Sequence, residues 1–183
     1  DVFGFPDLPA DTLEINSEIP IASGLGSGAA LSIAIIREFI RFYNKFLPDE
    51  EINRIAFEIE KVYHGNPSGI DNTTITYEQP VIFSKTSGFS KLSADITSLN
   101  LLVIDSGIRS KTIDVVTDVR NNIDKNMPFI KQIGSVSNNA FHALISGDIN
   151  KIGELMNENQ ALLKKIDVSC KELDEMLEFG RNQ

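Results

Sequence analysis

Pro20-Ile-Ala-Ser-Gly-Leu-Gly-Ser-Gly-Ala-Ala30 decides how the chain is read. Gly24, Gly26 and Gly28 alternate with Leu25 and Ser27, and Ser23 precedes them. Upstream, Leu13, Ile15, Ser17 and Ile19 alternate with Glu14, Asn16 and Glu18, the period-two pattern of a strand with one wet face. Downstream, Ala29 to Phe46 is apolar, with Arg37, Glu38, Arg41, Asn44 and Lys45 at helical spacing, which predicts a long, mostly buried helix ended by Pro48. A glycine loop that opens a helix offers bare N–H groups and the positive end of a helix dipole, so phosphate is its natural ligand. Spacing alone serves an ordinary strand-to-helix turn about as well. A Walker loop is excluded, because no Lys follows any of these glycines. The dinucleotide fingerprint is met in its Ala-ended form by Gly24, Gly26 and Ala29, but the preceding strand is not a buried parallel one. No acid closes a second strand, since Asp49 opens a helix.

Working outward, Ile52, Ile55, Ala56, Ile59 and Val62 recur every three or four residues and predict a second helix, with Asp49 as its cap and its end near His64 and Gly65. The turn-forming run Asn66 to Asn72 follows, then two short β-prone runs, Thr73–Tyr77 and Val81–Ser84, which predict a hairpin or meander. Leu99 to Asp105 reads as a further strand. Helices are predicted near 111–125, 128–146, 148–165 and 170–180, the last announced by a capping-box pair, Ser169 and Glu172. Strands followed by helices predict an α+β fold. No internal repeat or low-complexity tract is visible.

Composition bounds the function. The 183 residues are 42% hydrophobic and 23% charged, in the range of a folded globular domain. A net charge of −9 with no basic patch argues against nucleic acid as a partner. The longest apolar run, Ala29 to Ile36, is too short for a membrane span. One cysteine, Cys170, and two histidines, His64 and His142, leave no disulfide framework and no His- or Cys-rich metal centre. The start at Asp1 and the stop just after a helical pattern read as cuts within a longer chain, and a cytoplasmic location is expected.

Glu60 lies late in the second helix and Asp71 in the turn eleven residues on, so a reversal through Gly65 to Gly69 could bring both carboxylates to one site. The residues alone do not single them out among the 26 acids. Phosphoryl transfer needs one carboxylate for a metal and one for the proton of the attacking hydroxyl. Unaided, the residues leave a solvated helix face for Glu60 and a self-bonded turn for Asp71 as the commoner outcomes.

Three segments together change that. Pro20 to Ala30 resembles the phosphate loop of the GHMP kinases, P-x-x-x-G-L-G-S-S-A-A, with Gly28 in place of the second serine. Glu60-Lys-Val-Tyr-His-Gly-Asn-Pro-Ser-Gly-Ile-Asp-Asn72 resembles the mevalonate kinase segment E-x-x-x-H-G-N-P-S-G-x-D-N. Ile104-Asp-Ser-Gly-Ile-Arg-Ser-Lys-Thr112 is similar to the V-D-T-G-x-x-x-x-T segment of archaeal and bacterial members. From about residue 13 onward the chain resembles the middle of such an enzyme, without the later K-x-T-G-A-G-x-G-G motif.

The resemblance implies a two-layer GHMP kinase-like fold, with residues 1–98 in a partial N-terminal ATP-binding domain and 99–183 in a partial helical C-terminal domain. It implies ATP-dependent phosphorylation of the 5-hydroxyl of mevalonate in isoprenoid synthesis, with ATP and Mg2+ as cofactors and a homodimer as the assembly. ATP would lie on Pro20, Ser23, Gly24, Leu25, Gly26, Ser27, Gly28 and Ala29. Glu60 would hold magnesium, with Ser27 a second donor, and Asp71 would act as the catalytic base. Ser68, Gly69 and Ser106 would face substrate or phosphate, and His64 would order the turn. The 183 residues alone are expected to turn over poorly. Another GHMP kinase, acting on phosphomevalonate or a different mevalonate hydroxyl, and a non-catalytic binding domain of the same fold are the alternatives.

Overall fold

A computed structural model describes residues 12–20, 23–64, 67–92, 96, 99–108 and 112–182. Ile21, Ala22, Gly65, Asn66, Arg109, Ser110 and Lys111, and the side chain of His64, to which expectations above attach, lie outside the described residues.

Helix α1 (Ser27–Phe42) buries Ala29, Ile33 and Ile36 along one stripe. It stops four residues earlier than the expected end at Phe46, for a local reason. Asn44 takes a left-handed backbone (φ 47°), and the N–H groups of Asn44 and Lys45 bond the carbonyls of Arg41 and Ile40 at 3.1 and 2.9 Å. This is a Schellman closure. Helix α2 (Asp49–His64) starts with three acids, Asp49, Glu50 and Glu51, which suit the positive end of the helix dipole. Asp49 therefore lies in the first turn and is not the cap; the carbonyl of Pro48 takes the N–H groups of Glu51 and Ile52. Ile33 and Ile36 of α1 meet Ile52, Ile55 and Ala56 of α2, with Ile40, Leu47, Ile59 and Ile75 around them. Fully buried Ala56 keeps the bulk low where the helices approach.

The expected strand Thr73–Tyr77 is instead part of helix α3 (Ile70–Tyr77). Threonine favours strands, but that preference yields to context, and here the hydroxyls of Thr73 and Thr74 donate back to the carbonyls of Gly69 and Ile70, at 2.6 and 2.9 Å. Packing on α1 and α2 then outweighs the local preference. Arg37 of α1 locks the far end of α3, bonding the Thr76 carbonyl at 2.7 Å and the Glu78 carboxylate. The hairpin comes one element later: β1 (Val81–Ser84) pairs antiparallel with β2 (Gly88–Lys91), with Val81 opposite Lys91 and Ser84 opposite Gly88.

The segments 13–19 and 99–105 are not strands. A strand is a paired structure, and among the described residues the one ladder joins β1 to β2; apolar residues of both segments stay exposed, Ile15 by 54% and Leu102 by 85%.

Helices α4 (Thr112–Asn121) and α5 (Ile123–Ser146) divide at Asn122, whereas the expected division preceded Pro128. Pro128 falls near the start of α5 on an exposed face, where it forfeits a single ladder bond. Gly147, with φ 70°, ends α5, and the Asp148 carboxylate caps α6 (Ile149–Lys165) by accepting from the Lys151 N–H at 3.0 Å. Val136 and Ala143 of α5 pack on Leu155 and Leu162 of α6, flanked by Phe129, Ile133, Ala140 and Ile152. Helix α7 (Lys171–Arg181) follows, with Cys170 at its N-cap. The expected capping box is absent because Ser169 is engaged elsewhere: it accepts from Gln160 and donates to Asp174, both at 2.8 Å, tying α6 to α7. Among the described residues the fold is thus seven helices and one two-stranded sheet, the mixed α+β class expected.

Candidate functional site

The glycine loop enters α1 through two left-handed residues, Gly24 (φ 80°) and Gly26 (φ 68°). A residue with a Cβ pays about 1–2 kcal/mol to hold that conformation, which is why glycine stands there. Gly26 is the N-cap of α1 and, being glycine, supplies no capping side chain; the first turn of α1 contains no acid. The leading N–H groups of α1 therefore meet no competing carboxylate from their own turn, the arrangement that suits an anion. Ser23 Oγ donates to the Pro20 carbonyl at 2.8 Å and holds the loop entrance in a turn. Gly24, Leu25 and Gly28 are exposed, Gly26 and Ser27 half-buried, and Ala29 is buried as the first anchor of the α1 core.

Asp71 stands directly beside this loop. A Cβ built on Gly26 would lie 3.7 Å from both Cβ and Cγ of Asp71 and 3.4 Å from Ile75 Cδ1. The α1 N-terminus and the first turn of α3 thus meet where one residue has no side chain. Asp71 itself is exposed, so its carboxylate is open to a ligand.

Glu60 lies on α2 one turn beyond Ala56 and is only 5% exposed. A carboxylate is seldom buried so deeply without a compensating partner or ion. Among the described residues no three His, Cys, Asp or Glu side chains gather as a metal cage. The donors expected from the resemblance, the Glu60 carboxylate and the Ser27 hydroxyl, are hard oxygens. Magnesium takes that type, one or two carboxylates at a time with water and phosphate oxygens completing its shell.

Ser68 is exposed, and its Oγ accepts from the Ile70 N–H at 3.3 Å. Gly69, left-handed at φ 91°, is buried at the N-cap of α3; a Cβ there would meet Phe57 Cε2 and Phe83 Cζ, both at 3.3 Å. Ser106 lies in another part of the chain, with its Oγ accepting from the Ile108 N–H at 3.4 Å. None of the described contacts joins Ser106 to Gly26 or Asp71.

Sequence reasoning missed a group behind Asp71: Asn53 of α2 bonds Asn72 and Thr73 of α3. Its one signal is an asparagine, a poor helix former, within α2 next to the apolar stripe. Asn53, Asn72 and Thr73 also line an open cavity of about 540 Å³ walled by Phe57, Phe83 and Phe89.

Comparison with known proteins places this geometry in a family. Residues 3–79 match the GHMP kinases N terminal domain. The chain is 33% identical over 173 residues to a mevalonate kinase of Methanocaldococcus jannaschii, covering 92% of this chain and 54% of the relative. It is 29% identical over 178 residues to one of Aeropyrum pernix, covering 95% and 55%. Among solved structures it is similar to L. major mevalonate kinase in complex with R-mevalonate, at 32% identity and TM-score 0.73 over 86% of this chain and 50% of that one. It is also similar to the Methanococcus jannaschii mevalonate kinase, at 30% identity and TM-score 0.75 over 91% and 53%. The chain spans about half the length of the relatives it matches. No helix among the described residues is long and apolar enough to cross a membrane. The glycine loop, the acid-bearing turn beside it and these likenesses agree: residues 3–79 match a GHMP kinase N-terminal domain, within a chain similar to mevalonate kinases over about half their length.

Proposed function

We propose that the protein containing this chain is a mevalonate kinase, transferring the γ-phosphoryl group of ATP to the 5-hydroxyl of mevalonate in isoprenoid synthesis. The observation that carries the reading is the contact between Asp71 and Gly26, which sets a carboxylate beside an uncapped helix N-terminus. The N–H groups opening α1 hold phosphate, with Pro20, Ser23, Gly24, Leu25, Gly26, Ser27, Gly28 and Ala29 forming the nucleotide loop. Asp71 accepts the proton of the alcohol as its oxygen bonds to the γ-phosphorus and the bond to the β,γ-bridging oxygen breaks. Glu60, with Ser27, is the group that would hold Mg2+, which when bound neutralises charge on the phosphates. Ser68 and Gly69 shape the turn beneath the transferring group, and Ser106 belongs to the substrate side.

Residues 1–98 form part of the ATP-binding domain and 99–183 part of the C-terminal domain, in a cytoplasmic homodimer. The 183 residues by themselves turn over poorly, because catalysis depends on several groups positioned together. One observation favours a second reading, a binding domain without catalysis: Gly28 stands where the family pattern has a serine, removing one oxygen near the metal. A coupled assay of the full-length protein with mevalonate, ATP and Mg2+ separates the two. The wild type should turn over, and Asp71→Asn should lower kcat by about 10²–10⁴ with nucleotide affinity little changed; equal rates remove Asp71 from its role.

A further inference from the structure

The hydrogen bonds around Asn53 have one consistent solution. Asn72 Nδ2 donates to Asn53 Oδ1 at 2.5 Å and to the Asn53 carbonyl at 3.3 Å. Thr73 Oγ1 has a single hydrogen, and it goes to the Gly69 carbonyl at 2.6 Å. The same oxygen therefore accepts from Asn53 Nδ2 at 3.2 Å. Both ends of the Asn53 carboxamide are thus committed, one to each of two consecutive residues of α3. Those residues are almost fully enclosed, Asn72 at 3% exposure and Thr73 at 2%. Asn72 and Thr73, so enclosed, have little recourse to water in place of Asn53, which makes both bonds geometrically strict. Asp71 immediately precedes the pair, in the same first turn that is anchored at left-handed Gly69.

We propose that Asn53 is a positioning residue, whose carboxamide fixes the first turn of α3 and so holds the Asp71 carboxylate against the Gly26 loop. This rests on the reading of Asp71 as proton acceptor. Asn53 faces the cavity walled by Phe57, Phe83 and Phe89, and neither Gly26 nor Asp71 lines that cavity. Its effect reaches the reacting hydroxyl through α3 alone. A misplacement of about 1 Å in a reacting group can cost about 10²-fold in rate, so the expected signature is a fall in kcat with KM for ATP retained.

The test is a double-mutant cycle in the full-length protein, using mevalonate and ATP with Mg2+ and normalising kcat to the folded fraction from thermal unfolding. Asn53→Ala should lower kcat by roughly 10–100-fold. Asn53→Asp keeps the acceptor for Asn72 and should fall less; it carries the cycle if the alanine variant does not fold. In an Asp71→Asn background either substitution should change the residual rate by less than about twofold, because there is no base left to misplace. Multiplicative losses, or an unchanged kcat per folded molecule in the single variants, overturn the proposal while leaving Asp71 in its role. An unaltered rate in Asp71→Asn alone removes the reading of Asp71 and this proposal with it.

Discussion

The region α1–α3 and the region α4–α7 each close around a small aliphatic core, of five buried residues in the first and four in the second. They differ in how many polar side chains they bury. The first buries Glu60, Asn72, Thr73, Thr76 and Ser32, and starts both α1 and α3 from left-handed glycines without side-chain caps. The second caps α6 with Asp148 while α5 and α7 also start without side-chain caps, keeps the ion pairs Lys151–Glu154 and Lys171–Glu175 exposed, and among its described residues encloses only Asn126 as a polar residue. Buried polar side chains, a carboxylate above all, are costly for stability. Their concentration in one region marks where stability has been exchanged for binding and chemistry, as functional sites commonly require.

That contrast can be broken by substitution. Glu60→Gln keeps the shape and removes the buried charge. It should lower the Mg2+-dependent rate by about 100-fold or more while the melting temperature stays level or rises; a large loss of stability with the rate intact would make Glu60 structural. Leu162→Ala in the second core should do the reverse, costing about 2–5 kcal/mol in denaturant unfolding, with KM and kcat per folded molecule unchanged.

The smallest effect sharpens the comparison through pH. Lys164 at 2.7 Å and Ser169 at 2.8 Å hold the Asp174 carboxyl below its ordinary value of 3.8. The folded protein therefore binds this proton less tightly than the unfolded chain, so the stabilisation is present above 3.8 and is lost as pH falls through the lower folded value. Asp174→Asn should lower the melting temperature slightly at neutral pH, and the difference from wild type should close in strong acid.

Much of the first region was legible from residue pattern. Glycines at 24, 26 and 28 ahead of an apolar stripe leave little choice but a loop opening a helix, and α1, α2, α6 and β1 were anticipated with small shifts at their ends. The α3 helix was not legible, because three threonines in eight residues read as a strand until their hydroxyls are seen bonding back along the helix. The segments 13–19 and 99–105 misled for a complementary reason: alternation records which face would be buried, whereas a ladder needs a neighbour. Of the candidate site, the motifs named Asp71 and the glycine loop separately, and the two meet at Gly26. They did not name Asn53, since its importance lies in the partners it meets across α3 and not in its own spacing.

The missing methyl at Gly69 has a wider consequence. Rings from α2 and β1 converge on that α-carbon to 3.3 Å from where a Cβ would sit, like jaws closed on a hydrogen atom. A side chain at 69 would have to hold a left-handed backbone and also push one of those rings aside by a few tenths of an ångström, two costs that fall together on the turn carrying Asp71.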